Sequence, residues 1–366
     1  MTLPTTLPVL SLADLDASDA ARAAFIDKLA HATHAYGFFY LTDTGLSSEL
    51  ETRLPALARE FFALPDAAKL EIESINSAQF RGYTRLGGER TKGQVDWREQ
   101  IDIGPEDPNT DAEAPAREAA GAPAHLRLLG PNQWPSALPA LRPAAEEWIA
   151  HLTKVAFKLL GAWSLALGQP EDYFTQTWGA SFPLLKVVRY PGATDESTAR
   201  AQGVGAHKDA AFVTLLWVEP GADGLQVQLG EEEADGSGGY WVDAPPVPGA
   251  FVVNIGEMLE YATQGYLKAT RHRVVAPPNG RDRLSLPFFF NPALDAKIPL
   301  VKLPPALQAK ARGVTRDPTN AIYPTYGENQ IKSRLRAHPD VAERHHADLL
   351  QRAKEAGINM SGGAYA

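Results

Sequence analysis

The sequence predicts a mainly β fold, a sandwich or jelly roll with flanking helices. Three observations predict it. From about Leu184 the hydrophobic period changes to two, the period of a strand. Seven strand-like runs then follow: Leu184–Tyr190, Ala211–Val218, Gly224–Leu229, Tyr240–Asp243, Ala250–Ile255, Thr270–Val275 and Leu284–Asn291, separated by Gly, Pro, Asn and Asp turns. Helical patterns lie before and after this block with no clean linker between them, so one β core with helices around it fits better than independent domains. The expected organisation is a helical N-terminal region over 1–175, the β core over 176–300 and a C-terminal helical extension over 301–366.

Each element has its own signal. Ser18 or Asp19 can cap a helix that runs to Ala35, with Phe25, Ile26, Leu29 and Ala32 at helical spacing and Gly37 ending it. Phe38-Phe39-Tyr40-Leu41 is a short aromatic strand. A helix follows from about Ser47 to Phe62. Pro55 either kinks it or marks a late start, because proline removes an interior hydrogen bond. Gln100-Ile101-Asp102-Ile103 is strand-like, and 105–123 is a Pro/Ala/Glu/Asp-rich loop expected to be mobile. The longest helical pattern, Leu141 to Leu167, carries Trp148, Ile149, Leu152, Val155, Leu159, Ala162 and Trp163 on one stripe and stops at Gly168. Glu231 to Gly239 is an acidic, glycine-rich hairpin tip, and a last helix covers Asp340–Ala356.

The bulk numbers exclude several functions. With 366 residues and 44% hydrophobic content, the chain can bury a substantial core. Its net charge of −9, without a basic stripe, argues against nucleic acid or an anionic membrane as a partner. The absence of cysteine excludes disulfides, zinc–cysteine sites and thiol catalysis. No run of about 18 apolar residues predicts a transmembrane helix. Residues 1–8 lack the basic and apolar regions of a signal peptide, which makes a cytoplasmic location the expectation.

Most of the nine histidines have ordinary settings. His31, His34 and His151 fall in helical patterns. His345 and His346 are helical neighbours that point about 100° apart and do not chelate together. His125 and His338 stand in loop-like contexts. His207 differs: with Asp209 it heads an apolar, β-branched run, and on a strand two residues at that spacing leave the same face. His272 heads a later strand. Two imidazoles and one carboxylate make a set suited to Fe(II) with positions left open for O2 and an organic ligand; Zn(II) shares these ligands and stays open as an alternative. Arg283 and Ser285 open a third strand, again two apart. A guanidinium and a hydroxyl on one face can clamp a carboxylate.

These pieces, in this order, resemble the isopenicillin-N-synthase-like family of non-haem Fe(II)/2-oxoglutarate-dependent oxygenases. The matching motifs are Arg189-Tyr190-Pro191, His207-Lys208-Asp209, Gly224-Leu225-Gln226-Val227, Val253-Asn254-Ile255-Gly256-Glu257, His272-Arg273-Val274 and Arg283 through Asn291. Tyr36–Leu41, Leu126–Pro135 and Ala166–Phe174 extend the likeness over about residues 8–300. The resemblance implies a double-stranded β-helix (jelly-roll) core. It implies His207, Asp209 and His272 as iron ligands and catalytic centre. Arg283 and Ser285, with Tyr190, would hold the distal carboxylate of 2-oxoglutarate. The implied activity is that of an oxidoreductase, a dioxygenase that uses O2 and 2-oxoglutarate to oxidise a small organic substrate, releasing succinate and CO2.

Two alternatives stay open at this point. Arg189-Tyr190-Pro191 and Ser285–Phe289 are locally closer to isopenicillin N synthase itself, which uses no oxoglutarate, and Val188 stands where many members carry asparagine. A metal-binding sensor without turnover is the other. For the substrate, Arg81, Tyr83 and Arg98, and the segment around Tyr323–Lys332, match regions that flank the barrel mouth in the family. Arg81 and Arg98 are candidates for holding a substrate carboxylate. Phe212, Trp217, Phe288 or Phe290 would form an aromatic wall, or else be ordinary core.

Overall fold

The computed structural model describes residues 6–107, 121–178, 181–193, 201–232, 238–277, 280–314 and 322–356. The expected mobile loop falls mainly on 108–120 and the expected hairpin tip on 233–237, both outside the described residues. Fourteen strands are described: β1 Val9–Ser11, β2 Phe38–Thr42, β3 Gly82–Thr84, β4 Arg90–Thr91, β5 Gln94–Val95, β6 Glu99–Ile103, β7 Leu184–Tyr190, β8 Gln202–His207, β9 Val213–Val218, β10 Leu225–Glu232, β11 Gly238–Asp243, β12 Phe251–Ile255, β13 His272–Val275 and β14 Arg283–Phe290. Eight form one sheet in the order β1-β2-β12-β9-β14-β7-β6-β3, and four form a second in the order β11-β10-β13-β8. β4 and β5 make a separate hairpin. Among the described strand–strand ladders only β1 and β2 pair in parallel; the others are antiparallel. The region before residue 175 is therefore not purely helical, since it supplies four strands of the large sheet.

Period two decides what each strand presents. On β14, Leu284, Leu286, Phe288 and Phe290 join the main core, whereas Arg283, Ser285, Pro287 and Phe289 face the space between the sheets. The core side is covered by the long helix Leu141–Ala166. Its Trp148 meets Trp217 edge-on at 6.3 Å and lies 6.0 Å from Phe251, and Phe157 meets Phe290 at 5.0 Å. The helix Asp19–Ala35 packs beside it and is capped as expected, Ser18 accepting from the Ala21 amide at 3.2 Å. The next helix, Ser48–Ala63, runs through Pro55 with Ser47 as its cap, so its start is early and the proline is interior. Pro55 is buried among apolar side chains, and that packing outweighs its missing hydrogen bond.

After β14 the chain forms helices at Tyr326–Ala337, Pro339–His345 and Ala347–Glu355. His338 and His346, in the joints between them, are each 1% exposed. His346 stacks on Phe80 at 5.1 Å and bonds the Ala78 carbonyl at 2.7 Å. Burial lowers both imidazoles below the ordinary value of 6.5. Below about pH 6.5 the unfolded chain therefore takes up protons that the folded chain refuses. Stability is full above that pH and is lost as the pH falls. The melting temperature of the metal-free protein is expected to drop by several degrees between pH 7.5 and 5.5; a flat profile would contradict this burial.

Candidate metal centre

One short segment between β8 and β9 carries the chain from the small sheet to the large one. His207 is the last residue of β8 in the small sheet, and β9 starts in the large sheet at Val213. Asp209 belongs to the crossing. The expectation of one strand carrying both residues on one face is corrected here: two sheets meet, and the link between them holds the carboxylate. The link is pinned by the segment after β12. Glu257 N–H donates to the Asp209 carbonyl at 2.7 Å, and Gly256 N–H donates to the Phe212 carbonyl at 3.0 Å. Gly256 has to be glycine, because a Cβ there would lie 1.9 Å from the Ala211 carbonyl oxygen.

His272, the first residue of β13, pairs across the small sheet with His207. Their rings lie 4.2 Å apart. The Nε2 atoms of His207 and His272 are 3.4 and 3.5 Å from Oδ1 of Asp209. The ligand atoms of all three lie within 4.8 Å of one another, and this is the sole such cluster among the described residues. Each histidine has Nδ1 beside a backbone carbonyl: Gly205 at 2.7 Å for His207 and Thr270 at 3.2 Å for His272. With Nδ1 engaged there, Nε2 of each ring is the atom that faces Asp209. The other carboxylate oxygen, Oδ2 of Asp209, accepts from Thr214 Oγ1 at 2.5 Å and Asn254 Nδ2 at 2.8 Å, so Oδ1 is the oxygen turned toward the two imidazoles.

The electrostatics agree with a cation site. Burial pushes the Asp209 carboxyl up, but His272, His207 and Asn254 overcome this and hold it well below the usual carboxylate range. Burial, with the neighbouring His207 ring, pushes His272 down to about 4, so it stays neutral at physiological pH, as a metal ligand must. One carboxylate and two imidazoles fit Fe(II). Thr214 and Asn254 had no role in the sequence reading, although Asn254 lay in a quoted motif. Their signal was there: each is a polar residue inside an apolar strand. Thr214→Val is expected to weaken metal binding roughly 10- to 100-fold, read by metal titration; an unchanged affinity would mean that Asn254 alone orients the carboxylate.

A cavity joins this triad to Arg283 and Ser285. Arg283 is 1% exposed. Its Nη1 donates to Ser285 Oγ at 3.0 Å, its guanidinium lies 4.9 Å from the centre of the Tyr190 ring, and its Nε and Nη2 have no partner. Burial lowers its pKa; Tyr190 opposes that and Arg98 adds to it. A buried guanidinium with two unspent donors asks for an anion. Phe38, Val204, Leu216 and Leu225 give the cavity dry walls, and Val188 faces Ser285 across the β7–β14 pair.

The substrate candidates divide. Arg98 lines this cavity. It is bound to Glu89 at 2.7 Å, and Lys186 bonds the other Glu89 oxygen at 2.9 Å. Arg81 is buried in an adjoining cluster. Tyr83 and Phe290 are not at the cavity. Tyr83 pairs with Ile101 and donates to Glu99 at 2.5 Å against Phe61, and Phe290 faces the long helix. For Phe290 strand parity is the reason: the residue lining the interior is Phe289, one step away. Phe212, Trp217 and Phe288 are likewise ordinary core.

Comparison with known proteins agrees with this geometry. Residues 7–137 match the family model described as the N-terminal region of non-haem dioxygenase in morphine synthesis, and residues 182–292 match the 2OG-Fe(II) oxygenase superfamily. A 2-oxoglutarate-dependent dioxygenase, frbJ, of Dothideomycetidae sp. (strain 11243) is 33% identical over 93% of this chain and 91% of its own length. Homoarginine-6-hydroxylase 2-ODD-C23.1 of Arabidopsis thaliana is 33% identical over 77% of this chain and 81% of its own. The crystal structure of a 2OG-Fe(II) oxygenase family protein from Caulobacter crescentus superposes with a TM-score of 0.68 at 29% identity, covering 91% of this chain and 99% of that one.

Proposed function

The chain belongs to the 2OG-Fe(II) oxygenase superfamily, and from that premise we propose that His207, Asp209 and His272 bind the iron and that Arg283, with Ser285 and Tyr190, binds the cosubstrate. The enzyme is an Fe(II)/2-oxoglutarate-dependent oxidoreductase acting on a small organic molecule with O2. The relatives support this over an oxoglutarate-independent oxidase or a silent sensor. The observation that carries the residue assignment is the pair of unpartnered Arg283 donors, buried and facing the three ligand atoms through one cavity.

When bound, Fe(II) with O2 and 2-oxoglutarate supplies the oxidising chemistry, the cosubstrate leaving as succinate and CO2. The protein's own residues do the rest. The Gly205 and Thr270 carbonyls fix the imidazole tautomers, and Thr214 and Asn254 hold the Asp209 carboxylate in one orientation. Arg283 neutralises the far carboxylate of 2-oxoglutarate with charge-assisted bonds, and Ser285 and the Tyr190 ring hold the guanidinium in place. The apolar walls exclude water, which strengthens every charge interaction inside. Arg98, at the cavity edge, is the nearest candidate for contact with substrate.

No helix among the described residues is long and apolar enough to cross a membrane. The cysteine-free composition supports a reducing, cytoplasmic setting, and the charge of −9 supports a small molecule over nucleic acid as the partner. The test is succinate release measured against O2 uptake with and without added 2-oxoglutarate. Release strictly dependent on oxoglutarate and Fe(II) is the expected result; O2 uptake that ignores oxoglutarate would overturn it.

A further inference from the structure

The two imidazoles of the metal centre are braced unequally. His272 starts β13, which has β10 on one side and β8 on the other. His207 ends β8, the edge strand of the small sheet. β8 carries two glycines, Gly203 and Gly205, and its register with β13 shifts between His272 and Val274. An edge strand with glycines and an irregular ladder is a poor mount for an imidazole, because glycine restrains the backbone least.

The missing brace comes from outside the sheet. β13 pairs with Val204 and His207 but not with Gly205. The Gly205 N–H donates instead to Oδ1 of Asp96 at 3.3 Å. The same oxygen accepts from the Gln202 side-chain amide at 3.1 Å, and the Trp97 N–H donates to the Gln202 carbonyl at 2.8 Å. The segment after the β4–β5 hairpin thus covers the open edge of β8. Asp96 is 0% exposed, and its other oxygen is fixed in turn: Thr91 Oγ1 donates to Oδ2 at 2.7 Å, and Arg98 Nη2 lies 3.5 Å from it. The approach is close, since a Cβ on Gly205 would lie 2.9 Å from Thr91 Cγ2. On its other side Gly205 meets the metal centre, its carbonyl lying 2.7 Å from Nδ1 of His207. One glycine is therefore held through its N–H by Asp96 and holds the imidazole through its C=O.

A carboxylate taken wholly out of water is costly, so its place here is explained by what it holds. Resting on the metal assignment proposed above, we infer that Asp96 is a positioning residue of the metal centre, setting the His207 imidazole through Gly205. It is not among the three clustered ligands. It does for His207 what Thr214 and Asn254 do for Asp209. It also ties that mount to the cavity, because Arg98, its ion-pair partner, lines the same space as the three ligands.

The test uses Co(II) as the probe, since its visible absorption reports coordination geometry without O2, 2-oxoglutarate or turnover. The full-length protein and its Asp96→Ala, Asp96→Asn and Thr91→Val variants are titrated with Co(II), and melting temperatures are measured on the metal-free chains. Asp96→Ala is expected to bind Co(II) about ten times more weakly or worse, with altered bands. Asp96→Asn keeps an oxygen for the Gly205 N–H and should come within about threefold of the parent, with the parent's bands. Thr91→Val unpins one carboxylate oxygen and should cost about threefold. A carboxylate that only supported the fold would lower the melting temperature and leave the affinity and bands of the folded protein unchanged. That result for Asp96→Ala, or an Asp96→Asn chain as weak as Asp96→Ala, would overturn the inference. Should Asp96→Ala fail to fold, Thr91→Val decides: parental affinity and bands overturn the role, and weaker binding upholds it. A parent chain that takes up no Co(II) would sink the metal assignment and the role of Asp96 with it. A parent that binds, beside variants that match it, would sink the role of Asp96 alone.

Discussion

An Asp209→Ala chain is expected to bind Fe(II) at least a hundredfold more weakly and to release succinate about a thousandfold more slowly, on the order of 4 kcal/mol of lost transition-state stabilisation. The size follows from what Asp209 supplies. It is the sole carboxylate in the cluster, it is 2% exposed, and its Oδ1 lies within 3.5 Å of both Nε2 atoms. Its removal leaves two imidazoles alone to hold a dication in a dry cavity. It also leaves Thr214 and Asn254 with unspent donors, a further cost of about 1–3 kcal/mol to the fold for each buried group. Metal titration, circular dichroism and succinate assays on the same preparation separate the two effects. A folded variant that keeps succinate release within tenfold of the parent would remove Asp209 from the metal centre.

Arg283→Leu should raise the 2-oxoglutarate concentration needed for half-maximal succinate release by about a hundredfold or more while Fe(II) binding stays close to normal. Stripping one partner from a buried ion pair costs roughly 3–5 kcal/mol, because the other charge stays desolvated and alone. Arg283→Lys restores the charge but not the fork, and should recover only part of the loss. Ser285→Ala loses a neutral contact to Arg283 Nη1 and should cost about tenfold or less. The result against the assignment is a leucine variant whose half-saturating oxoglutarate is unchanged; the clamp would then be holding some other anion.

The β core was legible because period two is a local signal. Leu184–Tyr190 agrees to the residue, and six other strands start within one or two residues of expectation. β8 was missed. Gln202-Gly203-Val204-Gly205-Ala206-His207 carries two glycines, which argue against a strand. The fold requires one of them: a Cβ on Gly203 would sit 2.9 Å from the Val274 carbonyl oxygen and 3.1 Å from the Tyr190 ring. Missing β8 is why His207 and Asp209 were assigned to a single strand. The three candidate ligands do cluster in the structure, but not from one strand, since spacing in a sequence does not say where a chain changes sheets.

The helix Tyr326–Ala337 was illegible for a different reason. Most of its polar residues are buried, so it lacks the apolar stripe by which helices are recognised. Its partners are remote: Arg334 meets Asp102 across 232 positions. Buried charge networks are set by tertiary contacts alone, and no periodicity announces them. Phe290 lies one residue from Phe289, which lines the cavity, and on a strand one residue is the whole thickness of the sheet.

The imidazoles of the metal centre belong to the small sheet, whereas the groups that hold its carboxylate, Thr214 and Asn254, belong to the large one. An ion bound there is a rivet through both halves of the sandwich. It binds the native state and not the unfolded one, so it adds to stability in proportion to its saturation. Amide exchange in β8 and β13 should slow on loading, and the unloaded chain should be the preferred prey of proteases. The amount of this protein in a cell would then follow the iron supply with no dedicated sensor, through the lifetime of the chain itself.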